Sequence, residues 1–260
     1  MVRHISALYQ HRELLLIWTT REIKVRYKQS LLGGAWAMLQ PLSLMVVFSV
    51  IFTNFVKIPS DSVPYPVFSY SALLPWTFFA TSVSFAVPAL TQNMNLVTKI
   101  YFPREILPAA AVAAAFVDFL VASLVFVAML LFYRIPFGAP LLLVPLLVAI
   151  QVVLTLGIVL FASAVNVFYR DVHFVVPLGL QLWMYATPII YPASLVPERF
   201  RGLYMLNPMA DLMEAYRATT LQGVLPNWGY VGMAAILSIA VFVLGYVYFK
   251  RVEGRFADII

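Results

Sequence analysis

Long apolar runs alternate along the chain with short basic or polar breaks. The runs fill 34–56, 65–90, 108–132, 140–168, 174–191 and 229–249, and Asp118 is the only charged residue in them. A helix rises about 1.5 Å per residue, so about 20 apolar residues cross about 30 Å of hydrocarbon. The pattern predicts an all-α membrane protein with six transmembrane helices. The second and fourth runs are long enough to tilt or to project beyond the bilayer.

The breaks carry their own patterns. Over residues 8–30, at about 100° per residue, Arg21, Lys24 and Lys28 share one narrow sector. Leu14, Trp18 and Val25 share a second sector, and Leu16, Ile23 and Tyr27 a third. This predicts an amphipathic helix on the membrane surface, its cations against anionic headgroups. Plain orientation charge without a ligand is the alternative. Gly33 and Gly34 then permit a sharp turn into the first span.

In the segment 91–107, Pro103 and Pro108 limit any helix to a short piece before Phe102. Leu96, Val97, Ile100, Tyr101 and Phe102 make it too apolar for a solvated link, so it meets either a partner surface or the bilayer interface. The segment 192–228 predicts two short helices. Asn207 caps the second and Pro208 suits its first position. Met209, Leu212, Met213, Tyr216 and Thr220 line one face, Asp211, Glu214 and Arg217 another, and Gly223 ends it. Such a segment reads as a re-entrant or surface-lying lid.

Composition narrows the class. Of 260 residues, 63% are hydrophobic and 11% charged, with a mean hydropathy of +0.91. Soluble domains hold about 45–50% apolar and about 25% charged residues, so a soluble enzyme and a disordered chain are both excluded. With no cysteine, disulfides, thiolate nucleophiles and cysteine metal sites are impossible. The net charge of +6 reads as membrane orientation rather than nucleic-acid binding. Six spans place Arg3, Arg12, Arg21, Lys24, Arg26, Lys28, Lys99, Arg104, Arg170, Lys250, Arg251 and Arg255 on one side. Only Lys57, Arg134, Arg199, Arg201 and Arg217 fall on the other, so both termini are expected in the cytoplasm. The run Leu14–Trp18 is too short for a cleaved signal peptide, and the first span is expected to serve as the insertion signal.

No Gly-x-x-x-x-Gly-Lys-Ser/Thr loop, Gly-x-Ser-x-Gly elbow or His-Glu-x-x-His pair occurs. Energy must therefore come from a partner chain or an ion gradient. Asp118, near mid-depth of the third span, is either a functional acid or a structural carboxyl hydrogen-bonded between helices. Gln151 and Gln181 read as interhelical glue. Phe, Trp and Tyr make up 15% of the chain. They suit interfacial belts and packing, or a wet passage for sugar rings; Trp76, Phe78, Phe79, Trp183 and Tyr185 are the passage candidates.

Several short strings then occur in order. They are Arg21-Glu-Ile-Lys-Val-Arg-Tyr27, Leu32-Gly33 through Trp36 to Gln40-Pro41, Leu74-Pro-Trp-Thr-Phe-Phe79 and Lys99-Ile-Tyr-Phe-Pro-Arg-Glu105. Asn166-Val-Phe-Tyr-Arg-Asp171, Thr187-Pro-Ile-Ile-Tyr191 and Leu206-Asn-Pro208 follow. Together they resemble permease subunits of bacterial ABC polysaccharide exporters, in the branch that exports O-antigen and teichoic-acid chains.

The resemblance implies three parts: an interface helix over 1–33, a six-span domain over 34–249 and a cytoplasmic tail over 250–260. It implies an ATPase-coupling helix within 91–107, with Asn93, Leu96, Lys99, Ile100 and Tyr101 as its contacts. It implies periplasmic gate helices in 192–228, with Asn207, Pro208, Tyr216 and Arg217 as candidates. The expected partners are a second copy, two ATP-binding subunits that hold ATP and Mg, membrane lipids and an undecaprenyl-pyrophosphate-linked glycan. No cofactor is expected in this chain. Arg21, Lys24 and Arg26 are the pyrophosphate or headgroup candidates, and the bacterial inner membrane is the expected location. The same architecture serves capsule, teichoic acid or a smaller lipid or drug. An ion-coupled carrier would depend on Asp118, and a membrane transferase would need Asp171 with His173.

Overall fold

The computed structural model describes residues 12–55, 63–99 and 102–256, all-helical with no strand among the described residues. The helices are α1 Arg12–Tyr27, α2 Trp36–Asn54, α3 Tyr65–Ala86, α4 Ala89–Gln92, α5 Met94–Lys99 and α6 Ile106–Phe132. They continue with α7 Val144–Phe168, α8 Val172–Ala186, α9 Glu198–Tyr204, α10 Pro208–Arg217 and α11 Trp228–Val252. Residues 8–11 of the expected interface helix, the coupling candidates Ile100 and Tyr101, and 257–260 of the tail lie outside the described residues.

Four helical segments are long and apolar enough to cross a membrane: Gly33–Asn54, Ile106–Phe132, Ala139–Phe168 and Trp228–Arg255. The other two expected spans fall short for different reasons. Helix α8 has 15 residues, because the chain leaves helical geometry at Thr187. Helix α3 has 22 residues and no charge, but serines, threonines, tyrosines and prolines dilute its apolarity. It ends four residues before the expected limit, where Pro88 follows and the chain restarts as α4. A proline removes a helical N–H donor and crowds the preceding turn, which accounts for the break.

Helix α3 is the centre of the bundle. Sixteen of its residues are buried, in a core shared with α6, α7 and α10. A second cluster gathers Trp18, Leu90, Val97, Ile106, Leu160, Phe249 and Phe256, joining α1, α4, α5 and α6 to α7 and α11. Helices α7 and α11 meet at a pair of glycines. A Cβ on Gly157 would come within 2.6 Å of the Phe242 backbone, and one on Gly245 would overlap the Gly157 carbonyl oxygen. Small residues at a crossing let backbones approach and exchange dispersion contacts.

Helix α1 packs along α6. Its Trp18 sits with Ile106, Leu107 and Ala110, and its end reaches Asp118, midway along α6. The Leu14–Trp18–Val25 sector does not pack as one face: Val25 is exposed, as are Leu16 and Ile17. The contact with α6 passes from the Leu14–Trp18 side to the Arg26–Tyr27 side along the helix, so a single sector cannot stay in register. The turn into α2 runs through Gly33 at φ +51°, as the glycine pair predicts.

Candidate functional site

The end of the bundle around Pro88 and Asn166 is held by long polar side chains. Helix α3 stops at Pro88, and Asn166 Nδ2 of α7 donates to the Val87 carbonyl and to Thr91 Oγ1, both at 3.3 Å. Asn93, between α4 and α5, donates to the Ala89 carbonyl at 2.8 Å and accepts from Arg21 of α1 at 3.1 Å. Two residues assigned to separate tasks from sequence, Asn93 and Arg21, are therefore in contact. Leu96 packs partly against the Trp18–Val97 cluster, while Lys99 and Lys24 are exposed. Arg104 donates to the carbonyls of Glu253 and Val97. Glu105, at the start of α6, is buried and pairs with Lys250 of α11 at 2.8 Å, and Lys250 also reaches Glu253 at 3.0 Å. Removing one partner of such a buried pair strands a charge and costs about 3–5 kcal/mol. The result is an apron tied to the bundle, with Lys99 exposed and Leu96 partly so.

Deeper in, Arg26 forms an ion pair with Asp118 and lies over the Phe85 ring at 4.0 Å. Tyr27 donates to the other Asp118 oxygen at 2.8 Å. Burial, with the Asp118 carboxylate adding to it, pushes the Tyr27 hydroxyl up to about 12, so it stays a neutral donor. Asp118 is therefore tied to a cation from another helix. Sequence reasoning missed this because Arg26 falls in a stretch read as surface charge.

The opposite end is built around α10. Asn207 caps it, accepting from the Met209 N–H at 3.1 Å and from Trp183 Nε1 at 2.9 Å, and donates to Thr187 Oγ1 at 3.0 Å. Pro208 occupies the first turn, and Gly223 at φ +65° ends the π-turn that follows. Tyr216 donates to Gln151 Oε1 at 2.9 Å, and Gln151 Nε2 donates to the Pro75 carbonyl at 2.6 Å, linking α10, α7 and α3. Gln151 is interhelical glue as expected, whereas Gln181 is exposed on α8.

The expected polar face of α10 is not a solvated one. Arg217 is buried, donates to the Ile189 and Tyr191 carbonyls at 2.7 and 3.3 Å, and lies over Phe68 at 3.8 Å. It thereby satisfies carbonyls that the unwinding after α8 leaves free. Tyr65 does the same for Ile190 at 2.8 Å. Asp211 is also buried; burial, with a smaller push from Glu214, raises it to about 7.

The passage candidates divide. Trp76, Phe78 and Phe79 are core residues, with Trp76 and Phe79 against Trp183 at 6.3 and 5.2 Å and Phe78 against Phe119 at 5.5 Å. Trp183 is partly open and Tyr185 half exposed.

Comparison with known proteins agrees with this architecture. The family model described as ABC-2 type transporter matches residues 13–221. The chain is 33% identical over 265 residues to the O-antigen export system permease protein RfbA of Myxococcus xanthus, covering 99% of each chain. It is 31% identical over 249 residues to the protein of that name from Klebsiella pneumoniae, covering 95% of each. The polysialic acid transport protein KpsM of Escherichia coli is 21% identical over 240 residues, covering 90% of this chain and 91% of that one.

Proposed function

This chain belongs to the ABC-2 type transporter membrane family, and on that premise we propose that it is the permease subunit of an ATP-driven exporter of lipid-linked polysaccharide, O-antigen foremost. The observation that carries the reading is near-end-to-end identity of 31% and 33% with permeases named for O-antigen export. Family members are permeases rather than enzymes, and ATP with its Mg is bound by a partner subunit.

In this reading α3 and α8 complete a six-span subunit in the bacterial inner membrane, with both termini cytoplasmic. Two copies enclose the passage, and two ATP-binding subunits dock on the 91–107 apron. The exposed row Phe174, Val175, Leu178 and Leu182 on α8 is the surface that a second copy or lipid covers. Helices α9 and α10 form the periplasmic gate, with Asn207, Pro208, Tyr216 and Arg217 holding it to the bundle. The cargo is a glycan on an undecaprenyl pyrophosphate, whose charge meets α1 near Arg21, Lys24 and Arg26. Trp183 and Tyr185 remain the aromatic candidates for sugar contact.

Work is transmitted through the apron. Movement of a docked ATPase against Lys99 and Leu96 passes by Asn93 to Arg21, and along α1 to Asp118 at mid-bundle. The test is export of cell-surface polysaccharide in a strain relying on this permease, alongside ATPase activity of the purified complex. Lys99→Glu should abolish export while the complex still assembles and hydrolyses ATP. Undiminished export by that variant would remove the coupling assignment. Failure of the wild-type chain to restore any glycan export would remove the transport assignment.

A further inference from the structure

Within a single subunit, the end of α1 meets α2, α3 and α6 around a cavity of about 340 Å³. Arg26, Tyr27, Gln40, Thr77, Thr81 and Asp118 supply polar lining. Trp36 and Phe85, each about half exposed, supply an apolar rim. A pocket that joins a few convergent polar groups to apolar walls is the usual form of a small-ligand site, and its volume lies within the usual range of about 300–1,000 Å³.

Arg26 decides the chemistry. Its side chain is 9% exposed, and Nη1 is taken by Asp118. Its Nε and Nη2 are buried without a hydrogen-bond partner. These two nitrogens share one edge of the planar guanidinium, a fork that matches two oxygens of one phosphate or carboxylate. Buried donors left unmatched are costly, so the fork favours an acceptor that arrives with a ligand. Asp118 already balances the cation. A head of low charge held by an ester therefore fits better than a highly charged free anion. The apolar rim asks for a hydrocarbon tail beside that head.

We infer that this cavity seats the phosphate-ester head of a membrane amphiphile on the Nε–Nη2 edge of Arg26. The inference sharpens the placement of phosphate on α1 proposed above and sits inside one subunit rather than between two. Its occupant touches the same helix that contacts Asn93 through Arg21. A bilayer phospholipid and a polyisoprenyl phosphate share this chemistry.

Native mass spectrometry of the full-length chain in neutral detergent, which requires no export, tests it. The probes are phosphatidylglycerol, a polyisoprenyl phosphate and phosphate-free diacylglycerol. At least one phosphate ester should be retained and diacylglycerol should not; whichever ester binds identifies the source. Arg26→Lys keeps the charge beside Asp118 but removes the fork, and should weaken retention about tenfold to a hundredfold. Thr81→Met fills the cavity without touching the ion pair and should weaken it comparably. Equal retention of diacylglycerol, or wild-type binding by the Thr81→Met chain, overturns the inference. The second variant keeps the test decisive if Arg26→Lys fails to fold.

Discussion

Helices α3 and α8 both lie in apolar runs read from sequence as spans, yet one has sixteen buried residues and the other has none. The difference lies in how each handles polar groups. Two hydroxyls of helix α3 bend back onto its own backbone: Ser71 donates to the Phe68 carbonyl at 2.7 Å and Ser69 to the Pro66 carbonyl at 3.1 Å. Tyr70 instead reaches across to the Ala122 carbonyl of α6 at 3.1 Å. Hydroxyls satisfied in this way can be surrounded by protein, because a buried polar group is costly only when unpaired. Helix α8 presents aliphatic and aromatic side chains outward, which suits lipid or a second subunit. Apolarity thus marks what can enter a membrane, while the placement of polar groups marks which helix the others surround.

The sharpest test of this contrast is a pair of truncations read by unfolding in detergent. Phe79→Ala on α3 should lose about 3–5 kcal/mol, since it empties a fully enclosed site. Leu182→Ala on α8 should change stability by less than about 0.5 kcal/mol. Comparable losses would erase the distinction. A smaller effect is expected where α3 is bonded to its neighbours. Gln151→Leu leaves the Tyr216 hydroxyl and the Pro75 carbonyl without their partner and should cost about 1–3 kcal/mol, seen as earlier unfolding together with loosening of α10 in hydrogen exchange.

A further effect concerns pH. Asp211 titrates at about 7 in the folded chain but near about 4 when unfolded, so the folded state holds the proton more tightly. Stability contributed by this group is full below about pH 4, falls as pH rises towards 7 and is lost above it. Asp211→Asn should therefore raise the melting temperature at pH 8, leave it nearly unchanged at pH 4 and flatten the slope between. An unchanged slope would mean that the carboxylate is paired or solvated after all.

Local chemistry made much of this molecule legible in sequence. The Asn207–Pro208 start of α10, the stop of its following turn at Gly223, the turn at Gly33 and four helices long enough to span follow from caps, φ preferences and length. What stayed hidden depends on residues far apart in the chain. Arg26 and Asp118 are 92 positions apart, and nothing in either stretch announces the other. Arg217 belongs to the polar side of α10 on any helical wheel, yet the carbonyls that bury it come from a segment that unwinds after Ala186. The burial of Trp76, Phe78 and Phe79 matches one of two readings the sequence left open, because an aromatic cluster reads the same whether it lines a channel or fills a core.

The glycine contact between α7 and α11 has a mechanical corollary. Two backbones already touching cannot slide without lifting apart, and lifting would forfeit every dispersion contact along the seam. That pair therefore behaves as a keel. Displacements within the bundle are expected at the apolar helices with fewest buried residues, α2 and α8, while the keel keeps its form.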